Sequence, residues 1–158
     1  MILISHRGNL SGINEKQEND PSYILEAIDK GFMVEMDVCY SPYQDKLLFA
    51  HENTGLQFKF DEDFLFENVE SLLIHCKDIE SLSYFRGKVR GFNFFFHDRS
   101  DYAVSSLGWV IAHSKDTASI DTKYKSEIIQ MLPEKRGFGK EMIKDYQGIC
   151  SDFIEWYK

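Results

Sequence analysis

The chain has 158 residues, enough for one domain, 1–158, with little room for a second. Hydrophobic residues make up 43% of it and include 13 Phe and 8 Tyr, which is enough to bury a core and argues against disorder. A formal net charge of -8 repels phosphate backbones, which excludes nucleic-acid binding as the main role; an anionic small molecule would need local cations or a metal.

Ile2 to Ser5 reads as a first strand ending in His6-Arg7-Gly8, followed by a polar loop, 9–19. Asp20-Pro21 predicts a helix start, an N-cap side chain followed by proline in the first turn. Ile24, Leu25 and Ile28 form its expected apolar face, and Gly31 its stop. Phe32 to Tyr40 is a second strand in which Glu35 and Asp37 alternate with Val34, Met36 and Val38. Leu47 to Ala50 is a third, ending in His51-Glu52. A short helix is expected over Phe64 to Glu70, then a fourth strand over Leu72 to Ile74, ending in His75-Cys76-Lys77. Asp78 caps a helix that Gly87 ends. Phe92 to Phe96 and Trp109 to Ala112 are the fifth and sixth strands, ending in His97-Asp98 and His113, and Ile128 to Leu132 is the seventh. A helix over Lys140 to Tyr146 precedes a last strand, Ile149 to Ile154, which contains Asp152.

Strand and helix alternating through short loops predicts parallel pairing with right-handed crossovers. A full eight-fold barrel takes about 250 residues, and the segments between His97 and Trp109 and between Ser114 and Ser126 are too polar for good helices. The expected fold is therefore α/β: a compact, trimmed TIM-like barrel with mostly parallel strands and fewer than eight outer helices. Such trimming leaves strand surface for a partner chain to cover, so an oligomer is compatible with the sequence.

Cys39, Cys76 and Cys150 are odd in number and sit in apolar runs, which reads as buried, reduced thiols. No apolar run is long enough to span a membrane, and the chain enters a strand at once from Met1 without a signal-peptide pattern. A cytoplasmic location is the expectation.

All five histidines follow an apolar run, and none falls on a predicted helix. At the C-terminal ends of parallel strands, residues distant in sequence converge on one mouth. One or two of the five, His113 first, are expected to serve structure rather than chemistry. In Glu35-Met36-Asp37 two carboxylates point to the same face of an apolar strand, where they repel each other and resist burial; a hard cation relieves both penalties. Arg7 and Lys77 suit phosphate contact, Arg as a bidentate fork and Lys as a point charge; pairing with Glu18, Glu35 or Asp37 is the alternative.

His6-Arg7-Gly8, Glu18-Asn19, the helix to Gly31, Glu35-Met36-Asp37-Val38 and His51-Glu52 together resemble the glycerophosphodiester phosphodiesterase family, of the phosphatidylinositol phospholipase C-like TIM barrels. The likeness is specific over the first third of the chain and weaker at Ile74-His75-Cys76-Lys77 and Cys150-Ser151-Asp152. It implies hydrolysis of a small-molecule phosphodiester of lipid metabolism, with His6 and His51 as the acid/base pair. Glu35 and Asp37 would hold a divalent cation (Mg, Ca or Mn), and Arg7 and Lys77 the phosphate. The family's third carboxylate ligand falls on His75, and Glu52 stands for its usual aspartate. Glu18, His97, Trp109 and Asp152 are further pocket candidates. A phosphate-binding protein without catalysis on the same scaffold is the alternative, and an aldolase or isomerase is disfavoured because no lysine lies alone in an apolar strand.

Overall fold

The computed structural model describes residues 1–52, 55–88 and 91–158. β1 (Ile2–His6) leads into α1 (Pro21–Asp29), β2 (Met33–Ser41), β3 (Lys46–Phe49), β4 (Phe58–Lys59) and α2 (Glu62–Glu67). β5 (Leu72–Cys76), α3 (Ile79–Lys88), β6 (Asn93–Phe95), β7 (Tyr102–Val104) and β8 (Val110–Ala112) follow. The chain closes with α4 (Thr122–Lys125), β9 (Ile128–Met131), α5 (Lys140–Ile143) and β10 (Gly148–Ser151). No helix among the described residues is long and apolar enough to cross a membrane, and the three cysteines are buried and unpaired.

This architecture corrects the expected trimmed TIM-like barrel. The ten strands among the described residues form one curled, mixed sheet, a half-barrel in the order β4-β3-β2-β1-β10-β9-β8-β7, with β5 paired to β2 and β6 to β5. Among the described residues, five short helices take the place of an outer ring. β1, β2, β5, β6, β8, β9 and β10 pair in parallel, whereas β3 runs antiparallel to β2, β4 to β3 and β7 to β8. The reason is connection length: parallel neighbours need a crossover of about a dozen residues. The segment 42–45 between β2 and β3 and the segment 105–109 between β7 and β8 allow only a reversal. Ser106 bridges the sheet ends, its N–H donating to Phe94 O (2.7 Å) and its hydroxyl accepting from Phe94 N–H (3.0 Å).

Local signals act much as their chemistry dictates. Asp20 caps α1 by accepting the Ser22 N–H at 2.8 Å, and Asp78 accepts the Ser81 N–H at 2.8 Å ahead of α3. α1 buries Ile24 and Ala27, while Leu25, expected on that face, is exposed because it lies about 100° round the helix from Ile24. α2 starts earlier than expected because Asp61 supplies its cap. Gly87 lies inside α3 rather than after it, and the last strand stops at Ser151, where the chain turns into a 3-10 helix over Ile154–Tyr157.

The period-two alternation of the strands sorts side chains onto two faces. One face packs against the helices through Val34, Met36, Val38, Leu72, Ile74, Ile24 and Phe85. The inner face carries an apolar layer of Ile4, Leu73, Phe95, Ile111, Ile129, Met131 and Cys150. Two residues further along the same strands stand His6, His75, His97, His113 and Asp152. Alternation thus lays a polar layer on an apolar floor.

Candidate active site at the strand ends

His6, His51, His75, His97 and His113 all line one cavity of about 190 Å³, together with Arg7, Glu35 and Lys77. Four stand on or just after strands of the parallel run. His51 arrives by the antiparallel β3, where the Ala50 N–H donates to Asp37 O (3.2 Å) and holds the segment against β2. His113, expected to be structural, belongs to the cavity wall.

The turn after β1 is tight. Arg7 and Gly8 both have positive φ (57° and 92°), and Arg7 N–H donates to Glu35 O at 2.7 Å. A Cβ on Gly8 would lie 2.6 Å from Tyr23 Cδ1, so only glycine fits there. Arg7 and Leu132 (φ 48°) line this cavity and Asn19 (φ 66°) a neighbouring one; all three are non-glycine residues in the left-handed region, which costs of order 1–3 kcal/mol each.

Three histidine environments result. Asp152 Oδ1 lies 2.6 Å from His6 Nδ1, and Glu35 Oε2 lies 3.8 Å from His6 Nε2. Burial lowers the His6 pKa, but the Asp152 hydrogen bond and the Glu35 charge outweigh it, and the net shift is upward. His75 Nδ1 lies 3.1 Å from Asp37 Oδ1 and 3.5 Å from Glu35 Oε1, and these bonds likewise raise it against burial. His51 and His97 shift down through burial first, then through cations near them. Burial, His97 and His75 push His113 down to about 3.

Asp152 is the hub of the β1–β10 junction. Asn9 Nδ2 donates to its Oδ1 at 2.9 Å, Lys135 Nζ lies 2.8 Å from Oδ2, and its own N–H donates to Glu134. Burial would raise its carboxyl, but His6, Lys135 and Asn9 bring it below the usual range. Asn9 also donates to Glu18 at 2.8 Å. Sequence reasoning missed Asn9, Glu134 and Lys135; only the position of Asn9 next to His6-Arg7-Gly8 hinted at a role.

Asp37, fully buried, meets Arg7 Nε at 2.8 Å, Asn19 Nδ2 at 3.2 Å and Lys77 Nζ at 3.5 Å. Burial is outweighed by His75, Arg7 and Lys77, which hold Asp37 well below the carboxylate range. Arg7 also donates to Glu18 (2.9 Å). Arg7 and Lys77 therefore lie at the cavity and are at the same time paired with carboxylates.

Glu35, Asp37 and His75 place one donor atom each within 4.8 Å of one another, all buried. Asp37 and His75 are register partners on β2 and β5. Glu35 Oε2 is buried with no hydrogen-bond partner. Two carboxylate oxygens, an imidazole nitrogen and an unsatisfied buried oxygen form a donor set that fits a divalent cation.

A second cavity of about 330 Å³ shares Arg7 and His51 with the first and adds Glu15, Glu18, Asn19, Glu52 and Leu56. Glu18 thus sits at the site and Asp152 behind His6. Trp109 does not line either cavity; it packs against the apolar floor. Neither models of known protein families nor curated proteins give a match to this chain.

Proposed function

We propose that this chain is a metal-dependent phosphoric diester hydrolase of the glycerophosphodiester phosphodiesterase type, acting on a glycerophosphodiester-like substrate. The observation that carries the reading is that one cavity is lined by His6, His51, Glu35 and His75, with Asp37 buried behind it and grouped with Glu35 and His75. His6, held by Asp152 and favoured in its protonated form, is suited to protonate the leaving alkoxide; His51, shifted toward neutrality, is suited to take a proton from the attacking hydroxyl. Arg7 and Lys77 line the same cavity and are suited to orient a phosphate diester. A divalent cation on Glu35, Asp37 and His75 would neutralise charge on the phosphate oxygens. The second cavity, reached past Arg7 and His51, has room for the other alcohol.

The test is release of product from a panel of glycerophosphodiesters with magnesium, calcium or manganese and with a chelator, compared with His6→Ala and His51→Ala. One observation favours the non-catalytic alternative: Arg7, Lys77, Asn19 and His75 already compensate Asp37 without a metal. Phosphate-ester binding with no turnover on any substrate of the panel would establish that reading instead.

A further inference from the structure

Asp37 gives its two carboxylate oxygens different partners. Oδ2 meets Arg7 Nε at 2.8 Å and accepts from Asn19 Nδ2 at 3.2 Å, and the Asp37 N–H donates back to Asn19 Oδ1 at 2.8 Å. Arg7 is itself tied down by Glu18 and by its left-handed turn. Oδ1 faces His75 Nδ1 at 3.1 Å and Lys77 Nζ at 3.5 Å. A charge-assisted N–H···O bond is about 2.7–2.9 Å long, so Lys77 stands beside Oδ1 without closing on it. Oδ1 is also the oxygen that Asp37 turns toward His75, its companion in the candidate cation group.

The two cations differ in freedom. The Lys77 main chain is fixed, its N–H donating to Val38 O at 2.9 Å, but its side chain is a flexible four-carbon stem that lines the cavity and is partly exposed. Apart from the imidazoles, the charges around Asp37 are Arg7 and Lys77 against Glu18, Glu35 and Asp37 itself. That excess of carboxylate repels a phosphate diester. A divalent cation held by Glu35, Asp37 and His75 reverses the excess. It also competes with Lys77 for the same oxygen, and like charges that close together in a partly buried site repel strongly. The tethered Arg7 has nowhere to go, whereas the Lys77 ammonium can swing into the cavity.

We propose that Lys77 is a swinging counter-charge: it neutralises Asp37 in the metal-free chain and is released into the cavity when a divalent cation takes Asp37 Oδ1, so that cation binding creates the phosphate site. This rests on the reading of the cavity as a cation-dependent phosphodiester site. It adds an order of binding, cation before diester, and a linkage between the two ligands that runs through one side chain.

The test measures binding, so that it stands apart from turnover. The full chain, freed of metal, is titrated by calorimetry with manganese, with dimethyl phosphate, and with each in the presence of the other. Manganese should tighten dimethyl phosphate binding about tenfold or more, and dimethyl phosphate should tighten manganese binding by the same factor. Lys77→Met keeps the stem and removes the charge. It should bind manganese more tightly than the wild type, lose most of the linkage, and weaken dimethyl phosphate binding only when manganese is present; Lys77→Arg should keep part of the linkage. A linkage unchanged in Lys77→Met would mean that the metal alone holds the phosphate. An equal loss of diester affinity with and without manganese would mean that Lys77 always serves the phosphate. Either result overturns the proposal, as does a wild type that binds no manganese, or no dimethyl phosphate in its presence. If Lys77→Met does not fold, the wild type decides: reductive methylation of Lys77, followed by mass spectrometry, should speed up with manganese and slow again with dimethyl phosphate, and a rate that manganese leaves unchanged overturns the proposal. Linkage through Lys77 without turnover of any diester would defeat the hydrolase reading and leave the counter-charge standing; turnover with a Lys77 contribution independent of manganese would do the reverse.

Discussion

His6 Nδ1 and Asp152 Oδ1 lie 2.6 Å apart although 146 positions separate the two residues in the chain. The parallel pairing of β1 with β10, Ser5 opposite Ser151, makes the contact possible, and Asn9 and Lys135 hold the carboxylate in place. In the proposed hydrolase, Asp152 would act through His6 as a positioning residue.

Asp152→Asn should lower kcat about 10²-fold or more with a smaller change in KM, because the imidazole loses the acceptor that orients it and favours its charged form. The pH–rate limb assigned to His6 should move toward lower pH. Steady-state kinetics across a pH series read both effects, and an unchanged pH profile would remove Asp152 from the mechanism.

The same pair makes stability pH-dependent. The folded His6 pKa lies above its ordinary 6.5, so its stabilising effect is complete below 6.5 and is lost as pH rises through the raised value. His75 is shifted the same way and adds to that alkaline decline. Asp152 is lowered from 3.8, so its contribution is present above 3.8 and is lost as pH falls through the lowered value. Urea unfolding of metal-free protein should show a plateau between these limits, and Asp152→Asn should reduce the alkaline decline, leaving what Glu35 supplies at His6 and what His75 adds.

Asp37→Asn should cost about 3–5 kcal/mol at neutral pH, since it leaves Arg7 and Lys77 without their buried counter-charge. Denaturant unfolding measures this directly; a loss under about 1 kcal/mol would mean that other groups or water take over the compensation.

For the cation, the imidazole of His75 in place of a third carboxylate should favour manganese over magnesium, which prefers an all-oxygen shell. Metal-free protein is expected to bind magnesium weakly and to be activated more strongly by manganese, with His75→Glu restoring the magnesium response. Equal and tight binding of both metals, unchanged in His75→Glu, would exclude His75 as a ligand.

Gly8→Ala should destabilise the turn that aims His6 and Arg7, by about 1–3 kcal/mol for strain in the left-handed region, with a further cost from the Cβ 2.6 Å from Tyr23. Thermal unfolding, read beside activity, should show both falling together.

The sequence by itself determined the strand-end histidines, the same-face pair Glu35 and Asp37, and the caps Asp20 and Asp78. These are properties of alternation and of short-range hydrogen bonding, and they need no knowledge of which strand neighbours which. Tertiary structure decided what depends on pairing across the chain: that β3 and β7 turn back antiparallel, that Asp152 meets His6, that Asn9 joins Glu18 to Asp152, that Trp109 stays in the apolar floor and that His113 reaches the cavity. A local pattern sets which face of a strand a side chain takes, but the partner on that face is chosen by sheet order and register, and both are set by loop lengths and packing over the whole chain.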